Sequence, residues 1–364
     1  MIIRVLQVLD KIDVNSGVSS VVMNYYEGLN PNEILFDFML NEEPKPTVRS
    51  YIESKGSRIF VMPKLSFSNS IAYIKKLRRF YKNNDYEIVH GHVANSAVFY
   101  FGLAENVPYK IMHSHNTKLA DVKWKFVRNW VLTRFIRFVA NKQMACSAEA
   151  AVYLFGKKHN ALILNNAVSL DVFFFSEKRR LEIRTKYGLK DKKIIGNVGR
   201  FCKQKNQSFL VDVFNEIHKV NNEVYLMLVG DGEMHCEIVK KVEKLGLKDR
   251  VLFPGAVNDV CSYMSAMDAF LLPSLFEGIP LAVIETQACS LQALVSNAVP
   301  QEANVSGKLE FLELDKDLWV QKISIALKNE VCRGEQHSKI EGSEFDIKTQ
   351  ISKLSNYYKE LLRG

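Results

Sequence analysis

The chain has 364 residues, 47% hydrophobic and 24% charged, with a net charge of +9. That length fits two domains better than one core, and the composition excludes disordered, collagen-like and disulfide-scaffold classes. No apolar run approaches the roughly 18 residues needed to span a bilayer, and six scattered cysteines without Cys-x2-Cys spacing point to a reducing cytoplasm and give no metal framework. Met1–Leu9 is too short for a signal peptide and reads as a buried first strand. The charge is unevenly placed. Residues 1–170 carry 22 Lys/Arg against 13 Asp/Glu, and residues 171–364 carry 27 of each. The first half is therefore expected to meet something anionic.

In chain order, the first half alternates apolar strand patterns with helical ones. Strands are predicted at Ile3–Leu9, Phe36–Leu40, Arg58–Met62, Glu87–His90, Lys110–His113 and Gln143–Cys146. Helices are predicted between them at Ser20–Gly28, Ser70–Asn83 and Asn95–Ala104. The second half repeats the scheme, with strands at Lys193–Val198, Val224–Val229, Val251–Phe253, Ala269–Leu272 and Ala293–Ser296. Its helices are Gln207–Lys219, Cys236–Leu245, Val260–Ser265, Leu281–Ala288 and Trp319–Leu327. This alternation argues an α/β protein with two mostly parallel, doubly wound sheets. The pattern breaks near Asn165–Phe175. A last helical pattern places Ile347, Ile351, Leu354, Tyr358 and Leu361 on one face.

Two loops of the second half carry chemistry. The strand at Lys193–Val198 ends in Gly199-Arg200, followed by Lys203, Lys205 and Asn206 before a helix. Open α/β sheets place ligands at such strand-to-helix loops, and Arg and Lys suit phosphate oxygens. The strand at Ala269–Leu272 runs into Pro273-Ser274-Leu275-Phe276-Glu277-Gly278-Ile279-Pro280-Leu281, and Glu285 follows on the new helix. A fresh helix N-terminus offers unpaired N–H groups and a positive dipole end. A carboxylate beside it accepts strong hydrogen bonds from sugar or ribose hydroxyls. Together the loops describe a site for a sugar nucleoside diphosphate.

The ordered pair of motifs, Gly-Arg-x4-Lys-Asn and then Glu-x7-Glu, resembles retaining glycosyltransferases of family 4, in the branch that builds capsule and exopolysaccharide. The resemblance implies the GT-B fold: two Rossmann-like domains facing a central cleft, with a C-terminal helix crossing back to the first. The expected divisions are 1–168 for acceptor binding, 169–344 for the donor and 345–364 for the returning helix. It implies that Arg200 and Lys205 hold the diphosphate, that Glu277 contacts the donor sugar and that Glu285 contacts the ribose. Gly278, Ile279 and Leu281 complete the donor loop. Gly17 stands where the family has two adjacent glycines near the donor phosphate, with Ser16 in place of the other. Of the histidines at strand ends, His113 aligns with the family's active-site residue and His115 competes with it locally, while His90 and His92 read as structural. Ser290 and the stretch Asn166-Ala167-Val168-Ser169 depart from the family pattern.

The implied reaction moves a sugar from a UDP-linked donor to a glycan or lipid-linked saccharide acceptor, with no cofactor and no metal. Asp315-Lys316-Asp317 resembles a metal-binding triplet of another glycosyltransferase fold but reads as a helix start. Lys123–Lys142 is basic and aromatic with no acidic residue, and suits either an anionic membrane surface or a solvated helix face. Localisation is expected to be cytoplasmic, with peripheral attachment through this half. Rival readings are a nicotinamide dehydrogenase, a non-catalytic module binding anionic lipid or nucleic acid, and an epimerase or phosphorylase on the same plan. Gly230-Asp231-Gly232 lacks the third glycine of the dinucleotide fingerprint, which counts against the first. No nucleic-acid motif is visible, so no nucleic-acid partner is expected.

Overall fold

The computed structural model describes residues 2–13, 17–66, 68–115, 133–328, 333 and 337–363. It divides into two units, Met1–Asn166 with Lys348–Gly364, and Ala167–Ile347. The first holds a seven-stranded sheet in the order β3-β2-β1-β4-β5-β6-β7. Its strands are Ile3–Leu9 (β1), Ile34–Leu40 (β2), Ile59–Val61 (β3), Ile88–Gly91 (β4), Tyr109–Ser114 (β5), Lys142–Ala145 (β6) and Leu162–Ile163 (β7). Every pairing is parallel. The helices joining them include Gly17–Gly28 (α1), Pro46–Ser54 (α2), Ser70–Asn83 (α3), Ala97–Gly102 (α4), Ile136–Val139 (α5) and Ala148–Phe155 (α6). Because β1 pairs with both β2 and β4, the direction of winding reverses at β1/β4. Ligands of open sheets bind outside the carboxyl ends of the strands at such a reversal.

The second unit has a six-stranded parallel sheet in the order β10-β9-β8-β11-β12-β13. The strands are Lys193–Val198 (β8), Val224–Val229 (β9), Val251–Gly255 (β10), Ala269–Leu272 (β11), Ala293–Ser296 (β12) and Leu309–Leu312 (β13). The chain between them forms Glu177–Lys186 (α7), Gln207–Val220 (α8), His235–Lys244 (α9), Val260–Ala266 (α10), Leu281–Ala288 (α11), Lys316–Lys328 (α12) and His337–Ile340 (α13). Both faces of the sheet are covered, so successive strand residues enter opposite cores. Ile194, Phe270 and Leu272 pack with Val283 and Ile284, while Ile195, Ala269 and Leu271 pack with Phe214 and Trp319. Here the winding reverses at β8/β11, where Ala269 pairs with Ile195. The two loops that carry the phosphate and carboxylate motifs follow these neighbouring strands.

Helix α7 has little apolar character, and the sequence patterns do not reveal it. It is anchored by charge instead. Arg180 and Arg184 reach Asp268 at 2.6 and 2.7 Å, and Asp268 also accepts from the Ile194 amide at 2.7 Å. Burial pushes the Asp268 carboxyl up, but Arg184 and Arg180 outweigh it and hold it below its ordinary value.

The final helix, Ile347–Arg363 (α14), packs on the first unit. Its periodic residues Ile347, Leu354, Tyr358 and Leu361 are buried. Tyr358 lies edge-on to Phe36, with ring centroids 6.3 Å apart, and Lys359 pairs with Glu33. A Cβ at Gly28 would press on the Cδ1 end of Ile351, so α14 packs closely against the end of α1. No helix among the described residues is long and apolar enough to cross a membrane.

Candidate functional site

In the second unit, sheet order closes a gap of 72 residues. Lys205, in the 3-10 turn after β8, reaches Glu277, in the turn after β11, with Nζ 2.6 Å from Oε1. Glu277 is 5% exposed at its side chain and Lys205 17%. The same carboxylate accepts from Ser274 Oγ at 2.6 Å and from Gln204 Nε2 at 3.2 Å. Gln204 also donates to the Phe276 carbonyl at 2.9 Å, which pins one loop to the other. Asn206 adopts a left-handed φ of 53°, a conformation that Asn tolerates, and donates to the Pro273 carbonyl. Gln204 and Ser274 are missing from the sequence-derived set. Their proximity to Lys205 and Glu277 in sequence was the available signal.

Gly278 and Ile279 lead to Pro280, the N-cap of α11, and Leu281 is its first helical residue. The amides that open a helix have no intrahelical acceptor. A Cβ at Gly278 would meet nothing within 4 Å, so the turn is open on that side. Glu285 sits on the second turn of α11, half-buried, and its carboxyl makes no hydrogen bond or ion pair among the described residues. Burial, with Cys261 adding to it, raises its carboxyl to about 7. Cys261 in turn lies 3.5 Å from Cys289, at the far end of α11.

Arg200 is placed differently. Its side chain is 63% exposed and pairs with Glu233 at 3.0 Å, not with the Glu277 group. Glu233 follows Gly230-Asp231-Gly232, and this turn lies directly against the Gly199–Phe201 backbone. A Cβ on Gly232 would come within 2.8 Å of the Phe201 amide nitrogen, and one on Gly230 would strike the Gly199 carbonyl. The two glycines therefore serve as a close backbone approach. Asp315 accepts from the Leu318 amide at 2.7 Å and opens α12, as its position before Leu318-Trp319 suggested.

In the first unit, Gly17 begins α1, and a Cβ there would meet nothing within 4 Å. Ser16 lies outside the described residues. Four histidines stack where β4 and β5 end. His113 and His115 have centroids 4.0 Å apart, and His90 and His92 4.5 Å. His90 Nε2 lies 3.1 Å from His113 Nδ1, and His92 Nδ1 lies 2.7 Å from His115 Nε2. Gln7 and Tyr358 bind the outer nitrogens of His92 and His90. Burial lowers all four, His90 to about 3 and His115 to about 4, so the imidazoles are neutral near pH 7.

His90, His92 and His113 bring ligand-capable atoms within 4.8 Å of one another, the distance range of a metal group. The inter-ring hydrogen bonds already occupy the facing nitrogens. His113 Nε2 and His115 Nδ1 are sealed from solvent without a partner among the described residues. Each such buried orphan costs about 1–3 kcal/mol. A cavity of about 10 Å³ beside Gln7, His90 and Tyr358 holds at most one water, too small for a sugar.

Of the basic aromatic stretch at 123–142, residues 123–132 lie outside the described residues. In the remainder Phe135 and Phe138 are exposed, and the Arg137 guanidinium lies 4.8 Å from the Phe138 ring centre. A second basic surface is on α3, whose exposed face carries Lys75, Lys76, Arg78, Arg79 and Lys82.

The family described as Glycosyl transferases group 1 matches residues 179–341, the span that holds both motif loops. Over that span the chain resembles this family, and it is a glycosyltransferase with the GT-B fold. It is 29% identical over 341 residues to a putative glycosyltransferase, EpsF, of Bacillus subtilis, covering 89% of this chain and 87% of that protein. It is 28% identical over 305 residues to a UDP-Gal:alpha-D-GlcNAc-diphosphoundecaprenol alpha-1,3-galactosyltransferase of Escherichia coli, covering 78% and 76% of the two chains. Its fold matches the crystal structure of Anabaena HepE in complex with UDP-glucose at a TM-score of 0.79, with 15% identity over 98% of this chain and 99% of that one. The glycosyltransferase is thus related to enzymes of polysaccharide and glycoconjugate synthesis.

Proposed function

We propose that this glycosyltransferase moves a sugar from a UDP-linked donor to a glycan or lipid-linked saccharide in surface polysaccharide synthesis, with retention of configuration. The observation that carries this reading is the Lys205–Glu277 pair, 2.6 Å apart, beside the start of α11. A cation, a hydroxyl acceptor and a helix N-terminus occur together, as a sugar diphosphate requires. The UDP specificity is supported by the UDP-galactose in the name of one relative and the UDP-glucose bound to HepE.

In this reading Lys205, the amides at Gly278, Ile279 and Leu281, and Arg200 once it leaves Glu233 stabilise the charge that develops on the departing diphosphate. Such preorganised electrostatic stabilisation is usually the largest catalytic contribution. Glu277 takes the sugar hydroxyls and Glu285 those of the ribose. Gly17 leaves room for the donor phosphate, and His113 serves the reacting sugar. The cations do the work of a metal, so none is required. The protein is read as cytoplasmic, with α3 and the 123–142 stretch offering cations to an anionic membrane surface. The functional division follows 1–168, 169–344 and 345–364.

Binding of UDP-, GDP- and dTDP-sugars, followed by mass spectrometry of products on lipid-linked acceptors, tests the proposal. Glu277→Ala and Arg200→Ala are expected to abolish transfer and leave the fold intact. Wild-type turnover in either refutes the role given to that residue, and an isomerised free donor sugar nucleotide would favour an epimerase instead.

A further inference from the structure

Lys205 and Arg200, the cations that the two motif loops bring to the second unit, are each paired with a carboxylate, and the pairs differ in kind. Lys205 and Glu277 are largely buried, and Ser274 and Gln204 also donate to the carboxylate. Separating such a pair strands a buried charge, so it persists. Arg200 and Glu233 are 63% and 54% exposed at their side chains. Water solvates both when they part, and surface pairs of this kind are weak. The contact takes up one edge of the guanidinium: Nε and Nη2 lie 3.1 and 3.0 Å from Glu233 Oε2. A guanidinium binds phosphate oxygens through paired N–H groups of this sort, so Glu233 occupies donors that a phosphate would use.

The backbone keeps these partners together. The Phe201 amide donates to the Asp231 carbonyl and the Met234 amide to the Phe201 carbonyl, both at 3.0 Å. Glu233 is thus held on both sides against the residue that follows Arg200, and moving Arg200 from one anion to another needs side-chain rotation alone. Glu233 also stands just before the N-cap of α9, where the positive end of the helix favours its charge after Arg200 has left. On the other flank, the Lys205 stem passes 3.7 Å from where a Cβ on Gly199 would stand, so both cations spring from neighbouring backbone.

We propose that Glu233 is a positioning residue that parks Arg200 and competes with the diphosphate for it, so that one cation of the site is fixed and the other exchangeable. Glu233 releases Arg200 when a nucleoside diphosphate enters and takes it back when the product leaves. The diphosphate as competitor rests on the proposed glycosyl transfer; the ion pair does not. Donor and product carry the same diphosphate, so removing the competing carboxylate tightens both.

Calorimetry with UDP on the full chain is the test. Glu233→Gln keeps the side-chain size and should tighten UDP roughly two- to fivefold, the worth of an exposed ion pair. It should lower the donor KM by the same factor without raising kcat. Arg200→Ala should weaken UDP, and adding Glu233→Gln to it should change nothing further. Equal tightening with and without Arg200 would be repulsion by a nearby charge and overturns the proposal, as does unchanged or weaker UDP binding in Glu233→Gln alone. In proton–nitrogen NMR the Arg200 Nε–H signal should move in Glu233→Gln and again when UDP is added to the wild type; a signal indifferent to either change also overturns it. Failure of UDP, GDP and dTDP to bind the wild type sinks the glycosyl-transfer reading and the proposal together, whereas UDP binding that ignores Glu233 sinks the proposal alone.

Discussion

Replacing Lys205 by Met removes a cation and keeps most of the side-chain volume. Glu277 is then a carboxylate 5% exposed, with Ser274 Oγ and Gln204 Nε2 as the remaining donors to it among the described residues. Cutting one side of a buried ion pair costs about 3–5 kcal/mol. The two remaining donors, and the 17% exposure through which water can enter Lys205's place, reduce this to about 2–3 kcal/mol. For a unit of this size that is a fall of about 5–10 °C in midpoint. Adding Glu277→Gln removes the stranded charge, so the double variant should regain about 1–2 kcal/mol over Lys205→Met. Trp319 is fully buried in the second unit and reports its unfolding by fluorescence once Trp124 and Trp130 are changed to Phe. An unchanged midpoint for Lys205→Met, or a double variant weaker than Lys205→Met alone, would show that the pair does not balance charge as described.

Glu285, raised to about 7 from an ordinary 4.5, holds a proton in the folded state that the unfolded chain has released. The second unit should therefore lose stability as pH rises from about 4.5 to 7, and Glu285→Gln should remove that slope and gain about 1–3 kcal/mol at pH 8; a slope of the other sign in Trp319 melts refutes it. Donor binding should run the opposite way, tightening as the carboxylate ionises through about pH 7, and calorimetry should find no such trend in Glu285→Gln. Ser290 holds a φ of 49°, and its buried hydroxyl has no partner among the described residues. Ser290→Gly should stabilise by about 0.5–1 kcal/mol, and a lower melting point would mean that the hydroxyl matters. Lys75→Glu/Arg78→Glu/Arg79→Glu on α3 should weaken sedimentation with anionic vesicles, at about 1 kcal/mol per cation lost, and unchanged binding would exclude this face as the contact.

Periodicity was enough for most elements, because a helix or buried strand is a nearest-neighbour pattern. The strands at Ile3–Leu9, Lys193–Val198, Val224–Val229, Ala269–Leu272 and Ala293–Ser296 have the limits that their apolar runs suggest. Helix α7 escaped because its inward side is arginine, β7 because two residues are too short to show a period, and β13 because Glu310 interrupts its apolar run. At the site, residue types and spacing singled out Arg200, Lys205, Glu277 and Glu285. They could not show that Arg200 would lie on Glu233, or that Gln204 and Ser274 would hold Glu277.

The sequence by itself determined two α/β units, the apolar stripe of the last helix and the two loops bearing opposite charge. Tertiary structure decided which side chains touch. Lys205 meets Glu277 across 72 residues because β8 and β11 are neighbours in the sheet, and His90 meets Tyr358 across 268 because α14 returns to the first unit. Strand order and helix docking arise from burying whole faces, a property that no local window of residues contains.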